Sequence, residues 1–228
     1  MIYLNVIRFS FENNIKNLIF FGTNCIYPKS SPQPIKEKYL LTGDLEESIS
    51  YYAIAKISGL KLCQAFNKQF KTKYKVIIPP NLYGFNDNFN ILTAHVLPAL
   101  LFKFHNAKKK DLKSVDVWGN GKQTREFLYV EDLSGFIIYL MQNWAKSDNY
   151  FIDKTYINVG TGKETSIKEL SLKIADIVRY KGKIIFDKNK PEGTPRKVLD
   201  VSLSKKYGWK AEHNLEEGLK KTYKKKFN

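Results

Sequence analysis

Asn17-Leu18-Ile19-Phe20-Phe21-Gly22 decides the fold class, because it is a continuous apolar run closed by a glycine. Such a run is typical of a parallel strand that is buried on both faces. Tyr74-Lys75-Val76-Ile77-Ile78-Pro79 is a second strand candidate, and a helix is predicted between the two over residues 50–70. This alternation of strands and helices predicts an α/β fold built on a parallel sheet.

The rest of the chain continues the alternation. Ser166-Ile167-Lys168-Glu169 has the spacing of a capping box at the start of a helix. Gly119-Asn120-Gly121 predicts a turn between two short strands. Further helices are predicted near residues 91–107, 131–143, 166–180 and 214–224. Further strands are predicted near residues 115–118, 126–130, 156–159 and 183–186.

Tyr52 and Lys56 lie four residues apart in the helix predicted over residues 50–70, so their side chains share a face. A phenol titrates at about pH 10, which is too high for a base at neutral pH. We expect the ammonium of Lys56 to lower the pKa of Tyr52. Gly59 and Cys63 on the same face are small enough to let the helix approach a sheet closely. The alternative is a surface Tyr and Lys at helical spacing, since both residues are common on helices.

The formal net charge of the 228 residues is +16, and lysine is dense in residues 108–110 and 220–226. Such runs are usually solvated faces or tails, so we do not expect nucleic acid as a partner.

The two cysteines, Cys25 and Cys63, lack the spacing of a metal site and are too few for a disulfide framework. A reducing, cytoplasmic setting and no metal are therefore predicted. Residues 1–7 are apolar but are followed by Arg8, so neither a signal peptide nor a membrane span is predicted.

Several blocks, taken in order, closely resemble the extended short-chain dehydrogenase/reductases. They are Thr23-Asn24-Cys25-Ile26-Tyr27-Pro28, Tyr52-Ala53-Ile54-Ala55-Lys56, Asn81-Leu82-Tyr83-Gly84, Arg125-Glu126-Phe127 and Val130-Glu131-Asp132. The resemblance covers nearly the whole chain, through Pro195-Arg196-Lys197-Val198-Leu199-Asp200. Within the family, the chain is most similar to the NADPH-dependent enzymes that epimerise C3 and C5 of GDP-4-keto-6-deoxy-mannose and reduce its C4.

The resemblance implies a Rossmann-like parallel sheet, NADP(H) as cofactor, a GDP-sugar as substrate and a homodimer. It also implies a remaining Rossmann-like domain over residues 1–84. A smaller α/β substrate domain is expected over residues 85–228, with some segments that return to the sheet. Two alternatives stay open: another nucleotide-sugar epimerase or reductase of the same superfamily, and a non-catalytic basic binding protein.

The resemblance also assigns site residues by matching positions. Implied catalytic residues are Tyr52 and Lys56 for proton transfer, Thr23 for a hydrogen bond to the reacting oxygen, and Cys25 and His95 for epimerisation. Implied cofactor-binding residues are Tyr52, Lys56, Asn81 and Leu82. Implied substrate-binding residues are Asn81, Lys103, Trp118, Arg125 and Lys197, with Arg125 and Lys197 as a diphosphate clamp.

Each of these positions also has a simpler interpretation. Cys25 alone is equally a buried small hydrophobe, and His95 alone is more often a satisfied helix histidine. Trp118 is equally a core residue. For Arg125 the alternative, less favoured given the motif, is a solvated surface arginine.

One part of the family pattern is absent from the 228 residues, namely the Gly-x-x-Gly-x-x-Gly turn that binds the dinucleotide pyrophosphate. We therefore expect the chain to start before the family's fourth strand, without a segment on the order of 80 residues. The parallel sheet is accordingly expected to be N-terminally truncated, with an open apolar edge. The isolated chain is expected to bind NADPH weakly and to lack full activity.

Overall fold

The computed structural model describes residues 2–190 and 193–227. The chain divides into two compact units. The first unit consists of the residues up to Pro80 together with Leu133–Gly162 and Val198–Lys210. The second consists of Asn81–Asp132, Lys163–Lys197 and the residues from Ala211 onward.

The α-helices are α1 (Ile2–Glu12), α2 (Ser50–Phe70), α3 (Val96–Lys109), α4 (Val130–Gln142), α5 (Trp144–Ser147), α6 (Ile167–Val178), α7 (Ser202–Lys206) and α8 (Leu215–Phe227). The strands are β1 (Asn17–Phe21), β2 (Lys73–Ile78), β3 (Asn81–Tyr83), β4 (Ser114–Trp118), β5 (Thr124–Tyr129), β6 (Tyr156–Asn158), β7 (Glu164–Ser166), β8 (Lys183–Asp187) and β9 (Arg196–Lys197). None of the helices in the described ranges is both long enough and apolar enough to cross a membrane.

The first unit is built on a parallel sheet with the strand order β1-β2-β6. Phe20 pairs with Val76, and Val76 pairs in turn with Tyr156. The central strand β2 is buried from Tyr74 to Ile78, because it has a neighbour on each side. The predicted α/β fold with a Rossmann-like parallel sheet is confirmed.

β1 differs from its prediction as a strand buried on both faces. Only Phe20 is fully buried, Leu18 and Ile19 are partly buried, and Phe21 is 41% exposed. Within the described residues β1 pairs with β2 alone and so forms one edge of this sheet. An edge strand has side chains in contact with fewer neighbours, and this lowers its burial.

Gly59 brings α2 close to the sheet of the first unit. A Cβ atom at this position would lie 2.5 Å from Cζ of Phe20 on β1. Cys63, one turn further along the helix, is fully buried. The expectation that small residues on the Tyr52 face allow a close approach of the helix is confirmed.

The second unit contains two separate groups of strands. β5 pairs with β3 and β9 in parallel and with β7 in antiparallel, whereas β4 pairs with β8 in parallel. Its core includes Phe104 of α3, Leu170 of α6 and Leu219 of α8, all fully buried. The capping box at the start of α6 is confirmed, with both reciprocal hydrogen bonds between Ser166 and Glu169.

α3 starts at Val96 rather than near residue 91. The reason is Pro98, which has no N–H and fits only in the first turn of a helix. In a helix starting near residue 91, Pro98 would be an interior residue. The backbone N–H groups of Thr93 and Ala94 instead donate to the carbonyl of Asn90 in a turn.

Candidate functional site

Thr23 and Cys25 lie on a short turn directly after β1. Residues Asn24–Ile26 form one turn of 3-10 helix, and Thr23 Oγ1 accepts a hydrogen bond from the Cys25 backbone N–H at 3.3 Å. The Asn24 backbone N–H donates to the carbonyl of Pro79 at 3.2 Å, just beyond β2. The turn is therefore fixed at the carboxyl ends of two neighbouring parallel strands, which is where ligands bind in open α/β sheets.

Tyr52 and Lys56 lie in the first two turns of α2. The Lys56 side chain is buried, and its Nζ donates to the carbonyl of Phe21, the last residue of β1, at 2.7 Å. Its Nζ also lies 4.3 Å from the ring centroid of Tyr3 and 5.8 Å from that of Tyr52. The backbone of β1 and these aromatic faces hold the ammonium next to the turn that carries Thr23 and Cys25.

The pKa of Tyr52 is raised from its usual value, chiefly by burial. Electrostatic interactions with Tyr3 and Cys25 raise it further, while a side-chain hydrogen bond with Thr23 lowers it. The expected lowering by Lys56 is wrong, because the carbonyl of Phe21 engages the ammonium. The phenol is consequently protonated at neutral pH, which is the form that donates a proton.

The two cysteines have different environments, and neither is in a disulfide. Cys63 is fully buried, and burial raises its pKa to about 12, so it remains an inert thiol. Cys25 is partly exposed, and its Sγ lies 3.7 Å from Oδ1 of Asn24. Cys63, rather than Cys25, has the environment of a buried small hydrophobe.

The first unit therefore brings together all four of its predicted catalytic side chains. Tyr52 is hydrogen-bonded to Thr23, interacts electrostatically with Cys25, and lies beside the ammonium of Lys56. A hydroxyl, a thiol, a phenol and an ammonium in one place can exchange protons with a carbonyl compound.

The second unit contains a pocket of about 530 Å³ that includes three of the predicted substrate residues. These are Lys103 of α3, Trp118 of β4 and Arg125 of β5. Trp118 is 58% exposed, so its interpretation as a core residue is wrong. The other lining residues are mostly apolar: Ile91, Leu92, Ala94, Val96, Ala99, Leu100, Val117, Gln123 and Ile167.

Two lysines flank the indole ring in this unit. The Nζ of Lys103 lies 5.8 Å from the Trp118 ring and donates to the carbonyl of Asp116 at 3.0 Å. The Nζ of Lys190 lies 5.9 Å from the same ring. Burial lowers the pKa of Lys103. The pocket thus combines an exposed aromatic surface with positive charge, and this combination suits an anionic aromatic ligand.

Arg125 and Lys197 lie side by side, because they are register partners in the parallel pair β5–β9. Arg125 is partly buried, its Nη1 donates to the carbonyl of Thr124 at 2.7 Å, and burial lowers its pKa. Arg196, next to Lys197, instead forms a bidentate salt bridge with Glu164, with both distances 2.8 Å. Arg125 is therefore not the fully solvated arginine of the alternative interpretation.

His95, Asn81 and Leu82 lie elsewhere in the second unit. His95 is the exposed residue that precedes α3, and its side chain makes no capping hydrogen bond. Asn81 and Leu82 are partly buried in β3, and Leu82 lines a smaller pocket of about 300 Å³. None of the three is among the residues that line the larger pocket, and their roles stay predictions.

Three residues near these groups were not identified from the sequence. Tyr3 lies over Lys56, Asn24 contacts the sulphur of Cys25, and Lys190 lies over Trp118. Asn24 could have been noticed because it lies between Thr23 and Cys25. No sequence signal marks Tyr3 or Lys190, since each reaches its partner only through the tertiary fold.

Residues 1–160 match the family model described as the NAD dependent epimerase/dehydratase family. This matched part contains Thr23, Cys25, Tyr52 and Lys56, the four grouped side chains of the first unit. The resemblance to the extended short-chain dehydrogenase/reductases is thereby confirmed.

Individual proteins of known sequence or structure agree with this match. The GDP-L-fucose synthase of Escherichia coli (strain K12) is 44% identical over 227 residues, which are 98% of this chain and 70% of that protein. A GDP-6-OMe-4-keto-L-xylo-heptose reductase from C. jejuni is 37% identical, with a TM-score of 0.89 over 98% of this chain and 73% of that one. A GDP-L-fucose synthetase from Naegleria fowleri bound to NADP is 26% identical, with a TM-score of 0.86 over 98% of this chain and 70% of that one. A match of the family model to more than half of the chain, together with the relative from E. coli, shows that the chain belongs to the NAD dependent epimerase/dehydratase family.

Proposed function

We propose that this chain catalyses the NADPH-dependent 3,5-epimerisation and 4-reduction of GDP-4-keto-6-deoxy-D-mannose to GDP-L-fucose. The observation that carries the proposal is the grouping of Thr23, Cys25, Tyr52 and Lys56 in the first unit. A thiol beside a phenol–ammonium pair provides for two kinds of proton transfer at one sugar. The similarity to the GDP-L-fucose synthase of E. coli supports the same assignment.

Epimerisation requires a proton to leave and return at a carbon beside the ketone. The carbonyl acidifies this carbon, because the electron pair of the C–H bond can pass into an enolate. Cys25 is the proposed base, since its sulphur is partly exposed and only a thiolate can accept the proton. His95 is the proposed acid, and its exposed imidazole can carry and release a proton through its ring nitrogens.

Reduction requires a proton at the carbonyl oxygen of C4, and Tyr52 is the proposed donor. Its raised pKa keeps the phenol protonated at neutral pH, and Thr23 can bind the same oxygen through its hydroxyl. NADPH, when bound, supplies the hydride to C4. Lys56 fits a role at the nicotinamide ribose, because an ammonium has three N–H donors and the Phe21 carbonyl accepts from one.

We assign further cofactor contacts to Asn81 and Leu82, which begin β3. The pyrophosphate is assigned to no residue of the chain, because the 228 residues contain no Gly-x-x-Gly-x-x-Gly turn.

The GDP moiety is proposed to bind in the second unit. The exposed ring of Trp118 provides a stacking surface for a base, and Lys103 adds positive charge beside it. Arg125 and Lys197, as neighbours on β5 and β9, provide two cations for the diphosphate. Asn81 is proposed as an additional polar contact with the sugar.

The direct test is conversion of GDP-4-keto-6-deoxy-D-mannose, followed by NADPH absorbance and by mass spectrometry of the product. The chain is assayed alone and fused behind a segment that carries the family's Gly-x-x-Gly-x-x-Gly turn. We expect turnover to GDP-L-fucose in the fusion and weak NADPH binding by the chain alone. A fusion that binds NADPH and the GDP-sugar but forms no GDP-L-fucose would contradict the proposal.

A reductase for a different GDP-4-keto sugar is the second candidate, favoured by the similarity to the heptose reductase from C. jejuni. Parallel assays with a GDP-4-keto-heptose distinguish the two. A preference for the heptose in kcat/KM, without deuterium exchange beside the ketone, would favour this second candidate.

We also propose that the protein forms a homodimer through α1. This helix exposes Ile2, Val6 and Phe9, which lie on one face at positions separated by four and three residues. An exposed apolar face of this kind is suited to pack against a second copy of itself. Sedimentation equilibrium would test this, and a Phe9→Lys variant is expected to shift the protein towards monomer. A wild-type protein that stays monomeric at high concentration would contradict the proposal.

The cytoplasm is the proposed location. Neither cysteine is in a disulfide, and a reducing compartment would keep Cys25 in the reduced state that the epimerisation needs. Fractionation of the source cells, followed by immunoblotting, would test the assignment.

A further inference from the structure

We propose that Asn24 is a positioning residue that prepares Cys25 for proton abstraction by stabilising its thiolate. This inference rests on the proposed epimerisation and assigns a role to a residue that the proposed mechanism does not use. The side-chain amide of Asn24 can serve both forms of the sulphur, as hydrogen-bond acceptor for the thiol and as donor for the thiolate.

Asn24 is held in place by burial, by a backbone hydrogen bond and by a contact with the sulphur of Cys25. Asn24 is only 4% exposed, and its backbone N–H donates to the carbonyl of Pro79 at 3.2 Å. Its Oδ1 lies 3.7 Å from Sγ of Cys25, within range for an S–H donor. The amide therefore lies against the sulphur and cannot move far from it.

The nitrogen of the same amide is unusual. Among residues 2–190 and 193–227, no group accepts a hydrogen bond from Nδ2 of Asn24, although the atom is buried. Buried donors without an acceptor are rare in proteins because they lose their hydrogen bond to water without replacement. The acceptor that we propose for this donor is the deprotonated sulphur of Cys25, which lies beside the same amide.

The thiolate of Cys25 is such an acceptor. A half-turn about the Cβ–Cγ bond of Asn24 exchanges Oδ1 and Nδ2, and this places an N–H donor at the sulphur. A hydrogen bond to the charged form of a group favours that form. When Cys25 takes the proton, the substrate C–H bond breaks, an S–H bond forms and the electron pair passes into the enolate. The new thiol then donates to Oδ1 again.

Three ionisable side chains of the first unit near Cys25 are engaged by other groups. Tyr52 on α2 interacts with the thiol electrostatically, but its phenol is hydrogen-bonded to Thr23. The ammonium of Lys56 is held at the carbonyl of Phe21. Tyr3 on α1 lies over Lys56 and interacts with Tyr52. Asn24 is therefore the neutral donor that lies directly against the sulphur.

The test measures alkylation of Cys25 by iodoacetamide on the 228-residue chain, between about pH 6 and pH 10, with peptide mass spectrometry as readout. Cys63 provides an internal control, because it is fully buried. In Asn24→Asp a carboxylate of the same size replaces the amide, so alkylation at neutral pH should fall roughly tenfold and its pH midpoint should rise by about one unit. Asn24→Leu, which lacks a donor, should shift the midpoint in the same direction by less.

The matched control is Asn149→Asp, which adds the same charge at an exposed position of the first unit and should keep the wild-type midpoint. A wild-type midpoint in Asn24→Leu would overturn the inference, because the carboxylate of Asn24→Asp raises the midpoint by its charge alone. Since either variant could fail to fold, the wild-type protein provides a second measurement. The side-chain ¹⁵N resonance of Asn24 should shift with the same midpoint as alkylation, and the shift should vanish in Cys25→Ser. A resonance that does not move with pH would equally overturn the inference.

These measurements need neither NADPH nor a GDP-sugar. A thiol that responds to Asn24, together with a fusion that binds NADPH and the GDP-sugar but forms no GDP-L-fucose, would contradict the proposed function and leave the positioning role intact. Normal turnover and deuterium exchange in Asn24→Leu, with an unchanged midpoint, would remove the positioning role and leave the proposed function intact.

Discussion

The two units of the molecule form their candidate sites in different ways. The first unit uses two short motifs, the turn with Thr23 and Cys25 and the helix with Tyr52 and Lys56. A hydrogen bond within the turn fixes the first, and a hydrogen bond from Lys56 to the end of β1 fixes the second. The second unit takes its candidate binding residues from α3, β4, β5 and β9. Proton transfer requires a geometry accurate to well under about 1 Å, whereas binding energy can be spread over several contacts. Mutations in the first unit should therefore have larger and more selective effects.

The largest expected effect is that of Tyr52→Phe in the chain fused to the Gly-rich segment. Loss of the phenolic proton should lower NADPH oxidation by about 10²–10⁴-fold, because proton donation of this kind is typically worth that much. Solvent deuterium exchange beside the ketone should continue, since it depends on Cys25. NADPH absorbance and deuterium incorporation, measured on the same samples, check both parts.

The converse variant is Cys25→Ser, which should slow deuterium exchange by roughly 10²-fold, because a hydroxyl is a far weaker base than a thiolate. Reduction of an already epimerised substrate should be preserved. If Cys25→Ser exchanges deuterium at the wild-type rate, Cys25 is not the base.

In the second unit, Arg125→Ala should weaken GDP-sugar binding by roughly 10–100-fold, the value of charge-assisted hydrogen bonds. Arg125→Lys should recover only part of the loss, because the ammonium keeps the charge but lacks the guanidinium fork. Isothermal titration calorimetry with GDP would measure both. Arg179→Asn removes a charge from an exposed position of the same unit and is expected to leave the affinity unchanged. An Arg125→Ala variant with wild-type affinity would exclude Arg125 from the diphosphate site.

The contrast between the units also explains how much of the fold was predictable. β2 follows directly from the apolar run at residues 74–79, and α2 has the bounds of the helix predicted over residues 50–70. The burial of β1 was not predictable, because the sequence of an apolar strand shows the same pattern whether the strand has one neighbour in the sheet or two. The start of α3 depends on the position of Pro98 within the first turn, and the apolar pattern of residues 91–107 does not show where that first turn begins.

The candidate site was predictable to the extent that it is local. Tyr52 and Lys56 can be paired from helical spacing alone, but the direction of the Tyr52 pKa shift depends on burial and on where the ammonium binds. The partnership of Arg125 with Lys197 required the pairing of β5 with β9, which no spacing reveals. Tyr3 near Lys56 is a tertiary contact of the same kind.

A fourth prediction concerns the contact that holds α2 against the sheet. Gly59→Ala should destabilise the first unit by about 1–2 kcal/mol, since the new Cβ would lie 2.5 Å from Phe20 Cζ and force α2 or the ring to shift. The higher helix propensity of alanine offsets part of this cost. Gly135→Ala is the matched control: it lies in α4 of the same unit, and its Cβ would meet no atom within 4 Å. It should be neutral or stabilising by up to about 1 kcal/mol.

Urea unfolding curves of the two glycine variants measure the difference. Lower stability in Gly59→Ala than in Gly135→Ala would support the close contact. Equal stability would show that Phe20 can move aside, and the anchoring of Lys56 would then not depend on that contact.

The smallest expected effect tests the buried support behind the Cys25 turn. Tyr27, two residues after Cys25, donates to Asn158 Oδ1 at 2.6 Å, and the Asn158 backbone N–H donates to Glu37 Oε1 at 3.0 Å. Burial raises the pKa of Glu37, and Asp200 raises it further. A raised pKa means that Glu37 contributes its stability while protonated, and that this contribution is lost as pH rises through the folded-state pKa.

Glu37→Gln should therefore gain stability relative to the wild type as pH rises from about 4 to about 8. Glutamine stays neutral, and its Oε1 can still accept from the backbone of Asn158. Unfolding free energies in urea at both pH values give the difference, with Glu47→Gln at an exposed position of the same unit as control. If the unfolding free energy of the wild type instead rises relative to that of Glu37→Gln as pH rises, the ionised carboxylate stabilises the fold. The charge of Glu37, rather than its hydrogen bond to Asn158, would then support the turn that carries Cys25.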